Sequence, residues 1–214
     1  MGKIRSSEEL DTLIDEEIAF RKHEISQLRS LLNSKKDSNE SRVLAKALIV
    51  ISYSHWEGFV KIVSRKYLEY IKFLGYNSST LNERLISSIL FNNLCKSSTN
   101  TLDKIDHIHS LLTQPGFKPD IDCLSLSDTK SNLNSEVFET IVANIGLDTT
   151  AFKSKYPYLD GTILKNRNDF AHGDNKWVDI NTSIDISNTV VELIESFKTL
   201  VQNAIVLKTY KKAP

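Results

Sequence analysis

Between Asn166 and Gly173 the chain reads NRNDFAHG. A guanidinium that stays charged (Arg167), an amide (Asn168) and an imidazole that titrates near neutrality (His172) stand close together. Such a set suits cleavage of a phosphate ester without a metal. RNA carries its own nucleophile, the 2′-hydroxyl. What remains to be supplied is a base for its proton, a cation for the crowded phosphorane and an acid for the departing 5′-oxygen. Five residues advance a helix by roughly 140°, so Arg167 and His172 would not share a face of an unbroken one. Gly173 predicts that the helix ends there, which frees His172 to turn toward the side of Arg167. The same residues also suit an ordinary helix C-cap, with Arg167 paired to a carboxylate and His172 covering terminal carbonyls. Spacing alone does not separate the two.

The elements that must position this run are helical. Apolar residues Leu10, Leu13, Ile14, Ile18, Ile25, Leu28 and Leu32 recur at helical spacing over 8–33, with Ser6 or Ser7 as cap. Residues 41–74 predict a central helix, apolar on almost every face from Val43 to Ile51 and ended by Gly75. Its charges are unbalanced: Arg42, Lys46, Lys61, Arg65, Lys66 and Lys72 against Glu57 and Glu69. They form either a solvated flank or part of an anion-binding groove. Thr80 to Glu83 fits a capping box for a helix over 81–94, and a turn at 97–100 leads to another over 102–112, ended by the segment 114–119. Residues 120–134 read as a loop. Asn134 or Ser135 caps a helix through Val137, Ile141 and Ile145, and Asp148 a short turn through Phe152. Pro157 opens the helix over 158–171 that carries the motif. A loop with Trp177 follows, then a closing helix over 186–208.

Composition narrows the function classes. Seven Gly and 4 Pro in 214 residues are too few for a strand-and-turn architecture, so an all-α fold is expected. The formal net charge of +0 argues against a strongly basic nucleic-acid binder, and an anionic partner must be met by a local patch. Cys95 and Cys123 lack metal-site spacing and read as buried or idle thiols of a reducing compartment. His107 and His109 stand two apart, on nearly opposite helix faces, and suggest no metal. Neither a metal nor a cofactor is expected. The polar first residues and the shortness of the longest apolar run, Ala47 to Ile51, lead to the expectation of a cytoplasmic protein with no membrane partner.

The run RNDFAHG resembles the signature of HEPN-domain ribonucleases, in which an arginine is followed by four to six residues and then a histidine. Arg167, Asn168 and His172 match its three positions, and the pattern is most similar to the RiboL-PSP-HEPN branch. A second segment, HWEGF from His55 to Phe59, resembles one that these relatives carry in an early helix. The resemblance is clear over about 41–74 and 158–208. It implies one HEPN-like helical domain over 1–214, with 76–150 as an insertion or elaboration. It further implies a homodimer in which two motifs face one cleft, and metal-independent cleavage of an RNA substrate to a cyclic phosphate. Arg167 and His172 would be catalytic and Asn168 would orient them. The setting would be toxin–antitoxin or antiviral defence, with an antitoxin or defence-system protein as a further partner. Some HEPN proteins are inactive scaffolds or nucleotide-binding modules, so a non-catalytic module binding nucleotide, RNA or protein is the alternative. Three residues stand in support. Glu57 can hydrogen-bond His172 or Arg167, His55 can line the site, and Asp169 can pair with Arg167 and weaken its hold on phosphate. Gly58 would permit close helix packing, with Trp56 and Phe59 in the core.

Overall fold

The computed structural model describes residues 4–96, 100–113, 116–173 and 176–212, and among these it contains helices and no strand. Helix α1 spans Ser7–Ser34. Ser6 Oγ accepts from Glu9 N, and Glu8 and Glu9 lie at the positive end of the helix dipole. Helix α2 spans Ser41–Leu74 and stops at Gly75, whose φ of 66° is the left-handed conformation that glycine adopts without a steric penalty. Helix α3 (Glu83–Lys96) begins under Asn82, whose Oδ1 accepts from Leu85 N; the cap is this amide rather than Thr80. Helix α4 (Thr101–Thr113) starts with Asn100 Oδ1 accepting from Asp103 N. The first three residues of the predicted turn at 97–100 and the first two of the 114–119 terminator lie outside the described residues.

The stretch read as a loop contains one helical turn, α5 (Cys123–Leu126), because Asp122 Oδ1 caps both Leu124 N and Ser125 N. Helix α6 (Ser135–Asn144) is capped by Asn134, as expected. The helix expected over 158–171 is a composite. A 3-10 segment (Thr150–Lys155) buries Phe152 and leads into α7 (Tyr156–Tyr158). A π-helical segment (Leu159–Leu164) then precedes α8 (Lys165–Ala171). The closing helix α9 (Ile180–Val206) begins six residues earlier than its apolar stripe suggests, because Asp179 caps Asn181 N and Thr182 N.

Helix α2 is the axis. It packs along α1 and α9, and it also meets α5, α6, the π-helical segment and α8. Leu10, Ile14 and Ile25 of α1 meet Leu48, Trp56, Phe59 and Val63 of α2 and Ile186, Val190 and Phe197 of α9 in one buried cluster. Each such side chain contributes roughly 1.5–3 kcal/mol on burial. Trp56 lies 5.1 Å from Phe138 of α6 and 6.3 Å from Phe197, so the middle of the chain supplies part of the central aromatic packing. The C-terminal tail closes the molecule. Tyr210 stacks on Tyr76, its carbonyl accepts from Asn82 N, and Lys212 N donates to Thr80 O.

Burial corrects one expectation about α2. Its first half is not buried on every side: Val43 is 68% exposed and Ile51 38%, while Leu48 and Ile49 are fully buried. The outward positions 43, 47, 50, 51 and 54 follow helical spacing and carry no charge. Three of its six basic residues are engaged by neighbouring acids or carbonyls. Lys66 and Arg65 share Glu69, and Lys72 reaches Asp120 and the carbonyl of Ile121. Among the described residues no helix is long and apolar enough to cross a membrane.

Candidate active site

The π-helical segment sets the rotation of the motif. Its wide turns are stabilised from the motif side: Lys165 N and Asn166 Nδ2 both donate to Thr162 O, the latter at 2.8 Å. Asp160, inside the segment, accepts from Ser135 N at 2.8 Å and from Ser135 Oγ at 2.5 Å, which ties it to the start of α6. Single π turns of this kind recur at functional sites, where they re-aim the helix that follows.

Helix α8 then lays the motif against the first half of α2. The Arg167 guanidinium lies over the Tyr53 ring, with Cζ 4.8 Å from the ring centroid, and Nη1 donates to Asn168 Oδ1 at 2.9 Å. Phe170 is half-buried, with Lys46 Nζ 5.0 Å from its ring centroid. His172 is the C-cap. Its N–H donates to Asn168 O at 3.0 Å, its side chain is exposed, and Gly173 follows at φ 84°. The helix therefore ends where the glycine indicated, with Arg167 against α2 and His172 at the open end.

Asp169 is not paired with Arg167. Its Oδ2 lies 2.7 Å from Lys176 Nζ, and among the described residues Arg167 has no carboxylate within ion-pair distance. The structure also separates the two α2 candidates from the motif. Glu57 accepts from Thr129 Oγ1 at 2.7 Å instead of from Arg167 or His172. His55 turns to α1, where Nε2 lies 3.1 Å from Glu24 Oε2, its ring meets Phe20 edge-on at 5.6 Å, and its carbonyl accepts from Arg21 Nε. Burial, and then Arg21, push the His55 imidazole below its ordinary value, against the pull of Glu24.

Tyr53 of α2 is a further residue of the site, one that the motif does not contain. It is fully buried, and Leu133 N donates to its hydroxyl at 2.6 Å. Burial and the Glu57 carboxylate push its phenol up to about 12. The signal was available: Tyr53 precedes Glu57 by four residues, hence one turn away on the same face.

Residues 16–203 match the family model described as RiboL-PSP-HEPN. The chain belongs to that family. The match spans α2, α8 and α9 together with the middle of the chain, and it makes this a HEPN-type helical module. No curated protein and no solved structure matches the chain. Among the described residues no three His, Cys, Asp or Glu side chains converge as metal ligands. His109 is exposed on α4, and the side chain of His107 lies outside what is described. Cys95 is an exposed free thiol and Cys123 a half-buried one, so neither is fully buried.

Proposed function

We propose that this HEPN module is a metal-independent endoribonuclease that works as a homodimer with a composite site. The observation that carries the reading is the state of Arg167. Its guanidinium rests on an aromatic face and has a neutral amide as hydrogen-bond partner, while the neighbouring carboxylate of Asp169 is engaged by Lys176. A guanidinium held in this way keeps donors for a phosphate. His172 stands exposed a turn away, where it can meet a substrate or a second subunit.

In the reaction, His172 of one subunit accepts the proton of the 2′-hydroxyl. The 2′-oxygen bonds to phosphorus and the bond to the 5′-oxygen breaks. The partner subunit's His172 gives a proton to that oxygen, leaving a 2′,3′-cyclic phosphate. Arg167 stabilises the charge that builds on the phosphorane. The uncharged outward face of α2, on which Val43 and Ile51 are exposed, supports a second copy as the group that covers it. Family membership supports a toxin–antitoxin or antiviral setting, with an antitoxin or defence protein as a further partner.

The test is cleavage of RNA by the purified protein in EDTA, with analysis of product ends. Arg167→Ala and His172→Ala should each lower the rate by about 100-fold or more. Wild-type rates in both would remove these residues from the chemistry. RNA binding without cleavage by the native protein would favour a non-catalytic module.

A further inference from the structure

We infer that Tyr53 is a positioning residue for Arg167, and that the Asp128–Ser135 loop holds Tyr53 in place for that task. This rests on the ribonuclease reading and adds a component that the arginine–histidine motif does not contain. Three observations carry it. The Arg167 guanidinium lies against the ring face, with Cζ 4.8 Å from its centroid, so one side of the planar cation is covered and its edges stay open. The ring itself cannot shift easily, because it is fully buried and its hydroxyl is fixed by Leu133 N at 2.6 Å. The loop that supplies this donor is pinned at two more points, by Thr129 Oγ1 on Glu57 and by Ser135 on Asp160 of the π-helical segment.

The loop reaches these anchors through an unusual backbone. Lys130 and Ser131 both have positive φ, 52° and 56°, and Asp128 Oδ1 accepts from Lys130 N to hold the turn. Side chains other than glycine rarely adopt that conformation, and it persists where surrounding contacts impose it. One end of the chain of contacts is this turn and the other is the guanidinium: loop, Tyr53, Arg167. With its phenol held near 12, Tyr53 stays protonated at neutral pH and acts as a neutral platform, not as a base.

The experiment uses the full chain. Tyr53→Phe keeps the ring and loses the Leu133 bond, whereas Tyr53→Leu removes the ring. Tyr53→Phe, which frees the ring from the loop, should lose about three- to fivefold in kcat, and Tyr53→Leu about tenfold or more, each with a smaller change in KM; wild-type kcat in Tyr53→Phe would remove the part given to the loop. Arg167→Lys, which keeps the charge but not the flat stack, should fall with Tyr53→Leu. The stack also has a readout that needs no variant. The Arg167 side-chain N–H resonances should be displaced upfield by the Tyr53 ring current in the wild type and in Tyr53→Phe. Wild-type kcat in Tyr53→Leu, or unshifted Arg167 resonances in the wild type, would overturn the role of Tyr53. If the wild-type protein cleaved no RNA, the ribonuclease reading would fall instead.

Discussion

The guanidinium of Arg21 lies 3.3 Å from the point that a Cβ on Gly58 would occupy. Arg21 is buried there by design of its neighbours. Nε donates to His55 O, Nη1 donates to Glu17 O and to the Glu17 carboxylate, and the group stands over the rings of Phe20 and Phe59. Three residues of the HWEGF segment, His55, Gly58 and Phe59, thus serve one cation from α1.

Gly58→Val should therefore destabilise the fold by roughly 1–3 kcal/mol through overpacking. Gly58→Ala should be close to neutral, since the gain in helix propensity, about 1 kcal/mol, offsets a small shift of the guanidinium. Urea midpoints measure both. A Gly58→Val protein as stable as wild type would show that the close approach is not needed.

The depressed His55 imidazole predicts a pH dependence of stability. The unfolded chain takes up a proton that the folded one declines, so stability rises with pH in this range. The contribution is complete above the unfolded value, about 6.5, and is lost as pH falls from there to the lower folded value. The wild type should lose more stability than His55→Gln between neutral pH and pH about 5. Parallel urea midpoints for the two proteins would contradict this.

Asp169→Asn breaks the ion pair with Lys176 and removes a negative charge beside Arg167. An ion pair this exposed contributes about 0–1 kcal/mol, so thermal stability should barely change. RNA cleavage should be no slower than wild type. A large loss of activity would give Asp169 a direct part in the site.

Ile51→Arg places a charge on the uncharged outward face of α2. Light scattering should then show a monomer, and cleavage should fall with it. The unfolding free energy of the monomer should stay within about 0.5 kcal/mol, as for other surface changes. A dimer with full activity would move the subunit contact elsewhere.

Tyr210→Ala should loosen the join between the tail, α2 and the start of α3. Tyr210 is buried among Tyr67, Tyr70 and Tyr76, and truncating a buried aromatic side chain costs about 3–5 kcal/mol. The chemical denaturation midpoint measures the loss.

Much of this was legible in the chain because the helices are amphipathic and their ends are punctuated. The Gly75 and Gly173 stops, the Asn134 cap and the buried side of α9 all follow from local rules. The helix over 158–171 was legible only as a length. Its π-helical part leaves no mark in composition, because it depends on Asp160 reaching Ser135 across 25 positions of sequence. The same limit applies to the site. The types of Arg167, Asn168 and His172 indicate the chemistry, but the partners of Glu57, His55 and Asp169 are set by tertiary contacts with Thr129, Glu24 and Lys176.

The widened turns of Leu159–Leu164 act as a phase adjuster for everything downstream. Each residue of a regular helix carries the chain around by about 100°, so deleting one there would swing Arg167 off Tyr53 and toward solvent without touching a single motif residue. Two chains with identical signatures can thus differ in competence through the register of the turn that precedes them.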